Sequence, residues 1–431
     1  LSSERGDINA AGTSNLVKGQ SVSLQAGYDS FRSIGNSGNR LNVDTASLTV
    51  RTPGSFYLDS VADLTDLVID RTSTPTGNGS NGTLSITGDH IVLDGTDNLG
   101  TVTLTTLTDT TGLNFALVAN GGIRVDQVNV GNTGTVSLTA GAAPDTADGA
   151  GGIGAAGTGS LITAGKLVLD AGESALYGIG DGLRPLYTQV GSITATAGGS
   201  IWLKQNGTLD LENVKAGGGL SVWTTSGDIL VGQLQYGANN ALTLLADAGS
   251  IQGNANPAAI GGSGGGSITL TASDGIGTRD AALLIQGGNK QVTATVTGDG
   301  SLYLANQGDL LGRLTTSVNN GATVITSTGN LVLASAQSLT DAAGNDITVS
   351  VGGAFAPQWV RSSATLWGER ADQQLYRAKA EGRNRTCLEM PPLTVVSPEE
   401  KGMLFGSFGR TDDEDEELSS GMVEVLPKNH P

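Results

Sequence analysis

The strongest constraint on the fold is a short motif that returns along most of the chain. The triplet Gly-Ser-Ile stands at 191, 199 and 249, and each time it opens a run with apolar residues at alternate positions. Such alternation turns one side of a run towards a core and the other towards solvent, as in a β-strand. The general form of the triplet, glycine followed by Ser or Thr and then by Ile, Leu or Val, also starts at 82, 100, 134, 159, 207, 266 and 300.

The spacing of the motif predicts how the strands are arranged. The intervals from 82 to 100, 249 to 266 and 266 to 300 are 18, 17 and 34 residues, which indicates a rung of about 17 to 20 residues. The sequence has no long amphipathic helical segments between its strands, which a doubly wound α/β fold requires. A β-sandwich does not require a constant repeat length. A right-handed parallel β-helix does need one, because each turn must lie in register on the last. At about 18 residues per turn, we expect roughly 19 turns.

Composition supports this all-β solenoid and excludes some functions. The 66 glycines follow no Gly-X-Y period, so they indicate turns rather than collagen. A net charge of −18 argues against nucleic acid as a partner, which would need a dense basic face. The chain shows no phosphate-binding loop, zinc-ligand spacing or serine elbow, so we predict no cofactor. Apolar runs near 18 residues are also missing, so we predict no transmembrane segment.

Three regions are expected along the chain. Residues 1–353 carry the rungs and form the rod. Residues 354–390 form a helical cap, because Leu375 and Ala378 fall on one face of a helix suited to covering the open end of the rod. Residues 391–431 form a flexible acidic tail with six consecutive acids at 412–417. The chain starts at Leu1 without a basic and apolar leader, so we expect a fragment or processed product.

Two glycine-rich segments interrupt the rungs. Residues 140–165 and 254–266 are predicted to be loops that leave the rod. They are either ligand-binding protrusions or insertions tolerated at a turn.

Two sets of residues in the rod are candidates for a site. Outward-facing aromatic residues could stack on a glycan or could pack beneath loops: Trp202, Trp223 and Tyr236. The densest carboxylate set could form a calcium or glycan site, or could serve only as turn-capping aspartates: Asp59, Asp63, Asp66 and Asp70.

The rod, from Gly6 to about Gly353, resembles the filamentous-haemagglutinin-like exoproteins of two-partner secretion. The resemblance is carried by rungs such as Gly-Ser-Ile-Thr-Leu-Thr-Ala at 266–272 and Gly-Asn-Leu-Val-Leu-Ala-Ser at 329–335. It implies a parallel β-helix, an outer-membrane transporter as partner, and a place outside the cell or on the bacterial surface. It also implies two processing features: surface anchoring through Cys387, although the family's hook has two cysteines, and proteolytic release at the di-alanine Ala342-Ala343.

A second, shorter resemblance lies near the carboxy end. Residues 370–385, Arg-Ala-Asp-Gln-Gln-Leu-Tyr-Arg-Ala-Lys-Ala-Glu-Gly-Arg-Asn-Arg, resemble the last helix of a diguanylate cyclase domain. The Gly-Gly-[Asp/Glu]-Glu-Phe loop and the rest of that domain are missing from the sequence. The resemblance therefore implies a borrowed helix without cyclase activity.

These observations favour a non-enzymatic structural adhesin or biofilm matrix rod that attaches to cell surfaces, to other cells or to extracellular polysaccharide. A carbohydrate-active β-helix enzyme, either a polysaccharide lyase or a hydrolase, is the alternative from another class. It predicts three or more carboxylates that converge in one groove. A self-assembling structural fibre is the third interpretation.

Overall fold

The computed structural model describes most of the rod and the segment after it. The described residues are 1–27, 32–71, 82–98, 101–141, 152–254, 259–262, 266–286, 290–308, 310–311, 314–319, 321–328, 331–332, 339–341, 347–353, 364–382 and 385–389. The acidic tail, 391–431, lies outside them.

The chain folds into a parallel β-solenoid of about 12 turns, and strands make up 58% of it. The predicted all-β parallel solenoid is confirmed. Strands stack in columns, and successive members of a column pair in parallel, as β3 does with β5 and β5 with β7. The first strands are Ser2–Ser3 (β1), Val17–Lys18 (β2), Ser21–Ala26 (β3), Leu41–Asp44 (β4), Ser47–Arg51 (β5), Phe56–Ser60 (β6) and Asp66–Asp70 (β7).

An antiparallel meander interrupts the parallel order, and the sequence did not predict it. Strand β8 (Gly82–Gly88) lies parallel to β6, but β9 (Ile91–Asn98) runs antiparallel both to β8 and to β10 (Thr101–Asp109). In the other column β11 (Asn114–Val118) pairs directly with β7. One column therefore gains two strands that the other lacks. The glycine motifs at 82 and 100, which predicted successive rungs, open two strands of this one meander.

A buried ion pair joins the meander to the turn below it. Arg71 Nε donates to Asp97 Oδ2 at 2.9 Å, and both side chains are at most 1% exposed. The same guanidinium donates to the carbonyls of Thr52, Pro53 and Gly54. Arg71 thus holds a corner of one turn and a strand of the insertion with a single side chain.

Both predicted glycine-rich loops contain strands. Residues 142–151, 255–258 and 263–265 of these segments lie outside the described residues, but the flanking residues rejoin the stack. A segment rich in glycine and alanine keeps all its backbone donors and acceptors, so it can still join a β-ladder. In these segments Ile153 pairs with Ile123 and Ile260 pairs with Leu234. The strands after the meander are Ile123–Asn129 (β12), Thr135–Thr139 (β13), Ile153–Ala155 (β14) and Leu161–Asp170 (β15).

The middle of the rod shows why there are fewer turns than expected. In one column the buried residues Ile201, Leu220, Leu242, Ile268 and Val292 stack in register, in steps of 19, 22, 26 and 24 residues. The last three of these steps are longer than the predicted rung. The strands here are Leu186–Ala197 (β16), Ile201–Gln205 (β17), Leu209–Ala216 (β18), Leu220–Thr224 (β19), Ile229–Tyr236 (β20), Ala241–Ala246 (β21), Ser250–Gly253 (β22), Ala259–Gly262 (β23), Ser267–Ala272 (β24), Gly275–Ile276 (β25), Leu283–Gln286 (β26), Gln291–Val296 (β27) and Leu302–Gln307 (β28).

The carboxy-terminal helix, α1 (Ala364–Ala380), packs on the last strands. Leu375 and Ala378 are buried, as the helical spacing predicts. A Cβ on Gly352 would lie 2.3 Å from the backbone nitrogen of Leu375, so only glycine lets the helix come this close. The last strands are Leu310–Leu311 (β29), Leu314–Val318 (β30), Thr323–Ser327 (β31), Leu331–Val332 (β32), Leu339–Asp341 (β33), Ile347–Gly353 (β34) and Arg385–Leu388 (β35).

The register shows which side of the stack the helix covers. Ser327 is buried and pairs with Val351, so Gly352, one position further, belongs to the outward-facing set. The cap therefore meets the outer side of β34, and β35 then returns to pair with β34. Residues Leu1–Glu389 form one compact unit. Within the described part of the chain, no helix has the length and apolar character needed to cross a membrane.

Candidate functional site

Two of the three predicted aromatic residues share one outward face of the rod. Lys204 lies in register between Tyr187 and Trp223 on neighbouring strands. Its ammonium nitrogen is 3.4 Å from the Trp223 ring centroid and 5.3 Å from that of Tyr187. Trp223 Nε1 also donates to Asp247 Oδ2 at 2.6 Å. A cation against an aromatic face contributes about 0.5 to 2 kcal/mol, so these contacts hold the rings in place.

Trp202 is the member of this face that is open to solvent. It lies two residues before Lys204 on β17, so both side chains leave the same side of the strand. Trp202 is 37% exposed, and a Cβ on Gly182 would lie 3.5 Å from its ring. The loop that carries Gly182 also presents Leu183, which is 95% exposed. We call Tyr187, Trp202, Lys204 and Trp223 the aromatic patch.

Tyr236 does not belong to the aromatic patch. It ends β20 in the other column and is only 4% exposed. Its hydroxyl is buried, and it has no hydrogen-bond partner among the residues that the structure describes. Beside it lies Lys290, which is 1% exposed and donates to the carbonyl of Gln286 at 2.8 Å. The Lys290 ammonium is 5.3 Å from the Tyr236 ring centroid.

Tyr236 borders a groove on the outer side of the rod. The groove has a volume of about 540 Å³. Burial raises the pKa of Tyr236 to about 12 and lowers the pKa of Lys290. The groove is lined by Lys215, Ala216, Gln235, Tyr236, Gly237, Gly261, Gly262 and Gln286.

Replacing Tyr236 with phenylalanine is expected to stabilise the protein. The substitution removes a buried hydroxyl to which no described residue is hydrogen-bonded, and an unsatisfied buried group of this kind costs about 1 to 3 kcal/mol. We expect the free energy of unfolding to rise by about 1 kcal/mol, measured by urea denaturation at pH 7. An unchanged or lower value would show that the hydroxyl is satisfied in the folded protein.

The same variant separates the pH dependence of Tyr236 from that of the other tyrosines. The folded protein keeps the Tyr236 proton up to about pH 12, whereas an unfolded tyrosine loses it near 10. The contribution of Tyr236 to stability is thus complete below about pH 10 and is lost as the pH rises towards 12. Over this window, stability should fall less steeply in Tyr236→Phe than in the wild type.

The four predicted carboxylates have separate partners. Those of Asp59, Asp63 and Asp70 contact Arg40, His90 and Arg51 at 2.7, 3.3 and 2.8 Å. Asp66 accepts from the Asn114 side-chain amide at 3.2 Å. Across the residues that the structure describes, no group of three or more His, Cys, Asp or Glu side chains is placed to hold a metal ion.

The two predicted processing features differ in what the structure shows. Cys387 is a free thiol in β35 and is buried, so reaction with another thiol requires this segment to open. The di-alanine Ala342-Ala343 lies outside the described residues. Both roles stay predictions.

Sequence reasoning missed the polar residues of both surfaces. The sequence analysis singled out none of the four polar residues that these surfaces share, namely Lys204, Lys215, Gln235 and Gln286. A signal existed for Lys204, because Ile-Trp-Leu-Lys at 201–204 places Trp202 and Lys204 on one side of a strand. No local signal joins Gln235 to Gln286, since they meet only through the register of three turns.

The comparisons with known proteins add no relative to this picture. They give no support to the filamentous-haemagglutinin or cyclase resemblances, so what the structure establishes is the β-solenoid itself. No family model, curated protein or solved structure matches the chain.

Proposed function

We propose that this chain is the rod of a secreted or surface-displayed adhesin or biofilm matrix protein, which attaches to polysaccharide without changing it chemically. The β-solenoid supports this proposal, because a stack of turns extends a surface in one direction and presents side chains at a regular spacing. The outer-membrane transporter partner and the extracellular or cell-surface location belong to the same proposal, and they rest on the resemblance of the rungs.

The observation that carries the proposal is the exposed Trp202 on a face of fixed aromatic rings. A sugar ring has C–H groups on one side and hydroxyls at its edge, so it fits an aromatic surface with polar neighbours. Lys204 and Asp247 already hold Trp223 in place, which leaves little side-chain entropy to lose on binding. Trp202 is one turn away and about 8 Å from Trp223 along the diagonal of the sheet.

Replacing Trp202 with alanine is therefore expected to weaken retention on polysaccharide about tenfold, as for the loss of an aromatic anchor. The measurement is depletion binding of the purified chain to insoluble pectin, cellulose and chitin. Tyr57→Ala is the matched control, since Tyr57 is an outward-facing aromatic of β6 beneath Arg40. Equal retention of Trp202→Ala and wild type on every polymer would contradict the role of the patch.

The same incubations test the non-enzymatic part of the proposal. We expect no reducing or unsaturated sugar ends in the supernatant over the time of binding. Their release above the level of a boiled sample would contradict the proposal and favour the polysaccharide lyase or hydrolase.

A further inference from the structure

The groove beside Tyr236 is a gap in a ladder of polar side chains. The ladder consists of one outward-facing position on each of five successive strands. Lys215 pairs with Gln235, and Gln235 pairs with Gly261. The register of the next strands places Gln286 beside Gly261, and Gln286 pairs with Gln307. Gln286 Nε2 donates to Gln307 Oε1 at 3.3 Å, which shows that neighbouring amides of the ladder reach each other. At Gly261 the ladder has no side chain, so Gln235 and Gln286 face each other across one empty rung.

The glycine is not required there by the backbone. A Cβ at Gly261 would have the Leu234 carbonyl oxygen at 3.7 Å and Gln286 Oε1 at 3.9 Å, which are ordinary contacts. Its φ is not positive either. This differs from motif glycines such as Gly249 and Gly300, whose Cβ positions are filled by backbone atoms of the turn below. Gly261 leaves a space that any side chain could fill, and its effect is to keep the groove open.

The groove offers a defined set of polar groups. The amides of Gln235 and Gln286 can each donate and accept, and Gln286 Oε1 faces the space above Gly261. Among the described residues, the ammonium of Lys215 at the rim has no ion-pair partner. A ligand would match these groups if it placed hydroxyls between the two amides and a carboxylate against the lysine.

We propose that this groove binds a uronic acid unit of an acidic polysaccharide. The ring hydroxyls lie between Gln235 and Gln286 above Gly261, and the carboxylate pairs with Lys215. The inference rests on the proposed attachment function and names the class of sugar. It concerns a surface in the other column from the aromatic patch, so the two can be tested separately.

The test measures binding of trigalacturonic acid to the full chain by isothermal titration calorimetry. The neutral galactose trimer and sodium acetate are the comparators. We expect wild type to bind trigalacturonate at least tenfold more tightly than the neutral trimer, and acetate not to bind. Equal binding of the two trimers, or binding of neither, would overturn the proposal.

Two variants locate the site. Gly261→Gln completes the ladder with an amide that fills the gap, so trigalacturonate affinity should fall at least tenfold while the unfolding midpoint is kept. Lys215→Gln should remove the preference for the charged trimer. Gly159→Gln is the matched control, because a Cβ at Gly159 has no atom of the described residues within 4 Å. Unchanged trigalacturonate binding in Gly261→Gln would overturn the groove as the site.

The polymer and oligomer results together separate the two proposals. Polymer retention that depends on Trp202, with trigalacturonate binding insensitive to Gly261→Gln, would keep the attachment function and overturn the groove. Trigalacturonate binding that is lost in Gly261→Gln, without retention of any polymer, would support the groove and overturn the attachment function.

Discussion

Replacing Arg71 with methionine is expected to lower the free energy of unfolding by about 3 to 5 kcal/mol. The guanidinium lies 2.9 Å from the Asp97 carboxylate, and neither side chain is more than 1% exposed. Its loss takes the guanidinium away from a buried carboxylate and removes the donor to the carbonyls of Thr52, Pro53 and Gly54. Burial lowers the pKa of Arg71 and Asp97 opposes that shift. Urea denaturation of wild type and variant measures the loss.

An exposed pair in the same part of the rod is the control. Arg51 Nε contacts Asp70 Oδ2 at 2.8 Å, with side chains 41% and 16% exposed. Arg51→Met should cost less than about 1 kcal/mol, because solvent screens the charges and the arginine retains some mobility. Similar losses in the two variants would show that burial of the Arg71 pair does not set its contribution.

A double variant distinguishes the cost of a stranded charge from the contribution of the pair. Asp97→Leu added to Arg71→Met removes both charges of this pair, and well-packed apolar residues often replace a buried ion pair without net loss. We expect the double variant to recover more than half of the stability that Arg71→Met loses. Because Asp97 belongs to β9, the amides of β8 and β9 should lose protection from hydrogen exchange in Arg71→Met. They should regain this protection in the double variant.

The alternation of apolar residues predicted most of the solenoid but could not predict strand direction. A strand has the same period whether it runs parallel or antiparallel to its neighbour. The missed signal was the length of a connection: only two residues separate Gly88 from Ile91. Two residues can close a hairpin, whereas a return to the next turn of a parallel stack needs many more.

The candidate sites were predictable only where one strand contains the whole pattern. Trp202 and Lys204 lie on β17, and their shared face follows from the alternation. The groove depends on Gln235, Gly261 and Gln286, which are brought together by steps of 26 and 25 residues. Because the steps vary along the rod, sequence spacing does not show which residues become neighbours. The glycine-rich composition of 254–266 also favoured a loop, although Ala259–Gly262 forms β23.

Glycine is sterically required at some copies of the motif and not at others. This difference predicts the second large effect on stability. Gly300-Ser-Leu and Gly159-Ser-Leu are the same triplet. A Cβ at Gly300 would lie 1.9 Å from the carbonyl oxygen of Asp274, in the turn below. A Cβ at Gly159, in contrast, would have no atom of the described part of the chain within 4 Å. We therefore expect Gly300→Ala to cost about 3 kcal/mol in urea denaturation, because two stacked backbones would have to separate.

Gly159→Ala carries the opposite expectation. Neither glycine has a positive φ, so alanine brings no backbone strain at either position. At Gly159 it only reduces the freedom of the unfolded chain, and stability should stay the same or rise by about 0.4 to 1 kcal/mol. If both variants lose the same stability, backbone entropy or turn conformation explains the motif. If only Gly300→Ala loses stability, glycine is needed in the motif because each turn lies directly on the last. The motif copy at Gly159 is then free of that constraint, and so is Gly261 in the open rung.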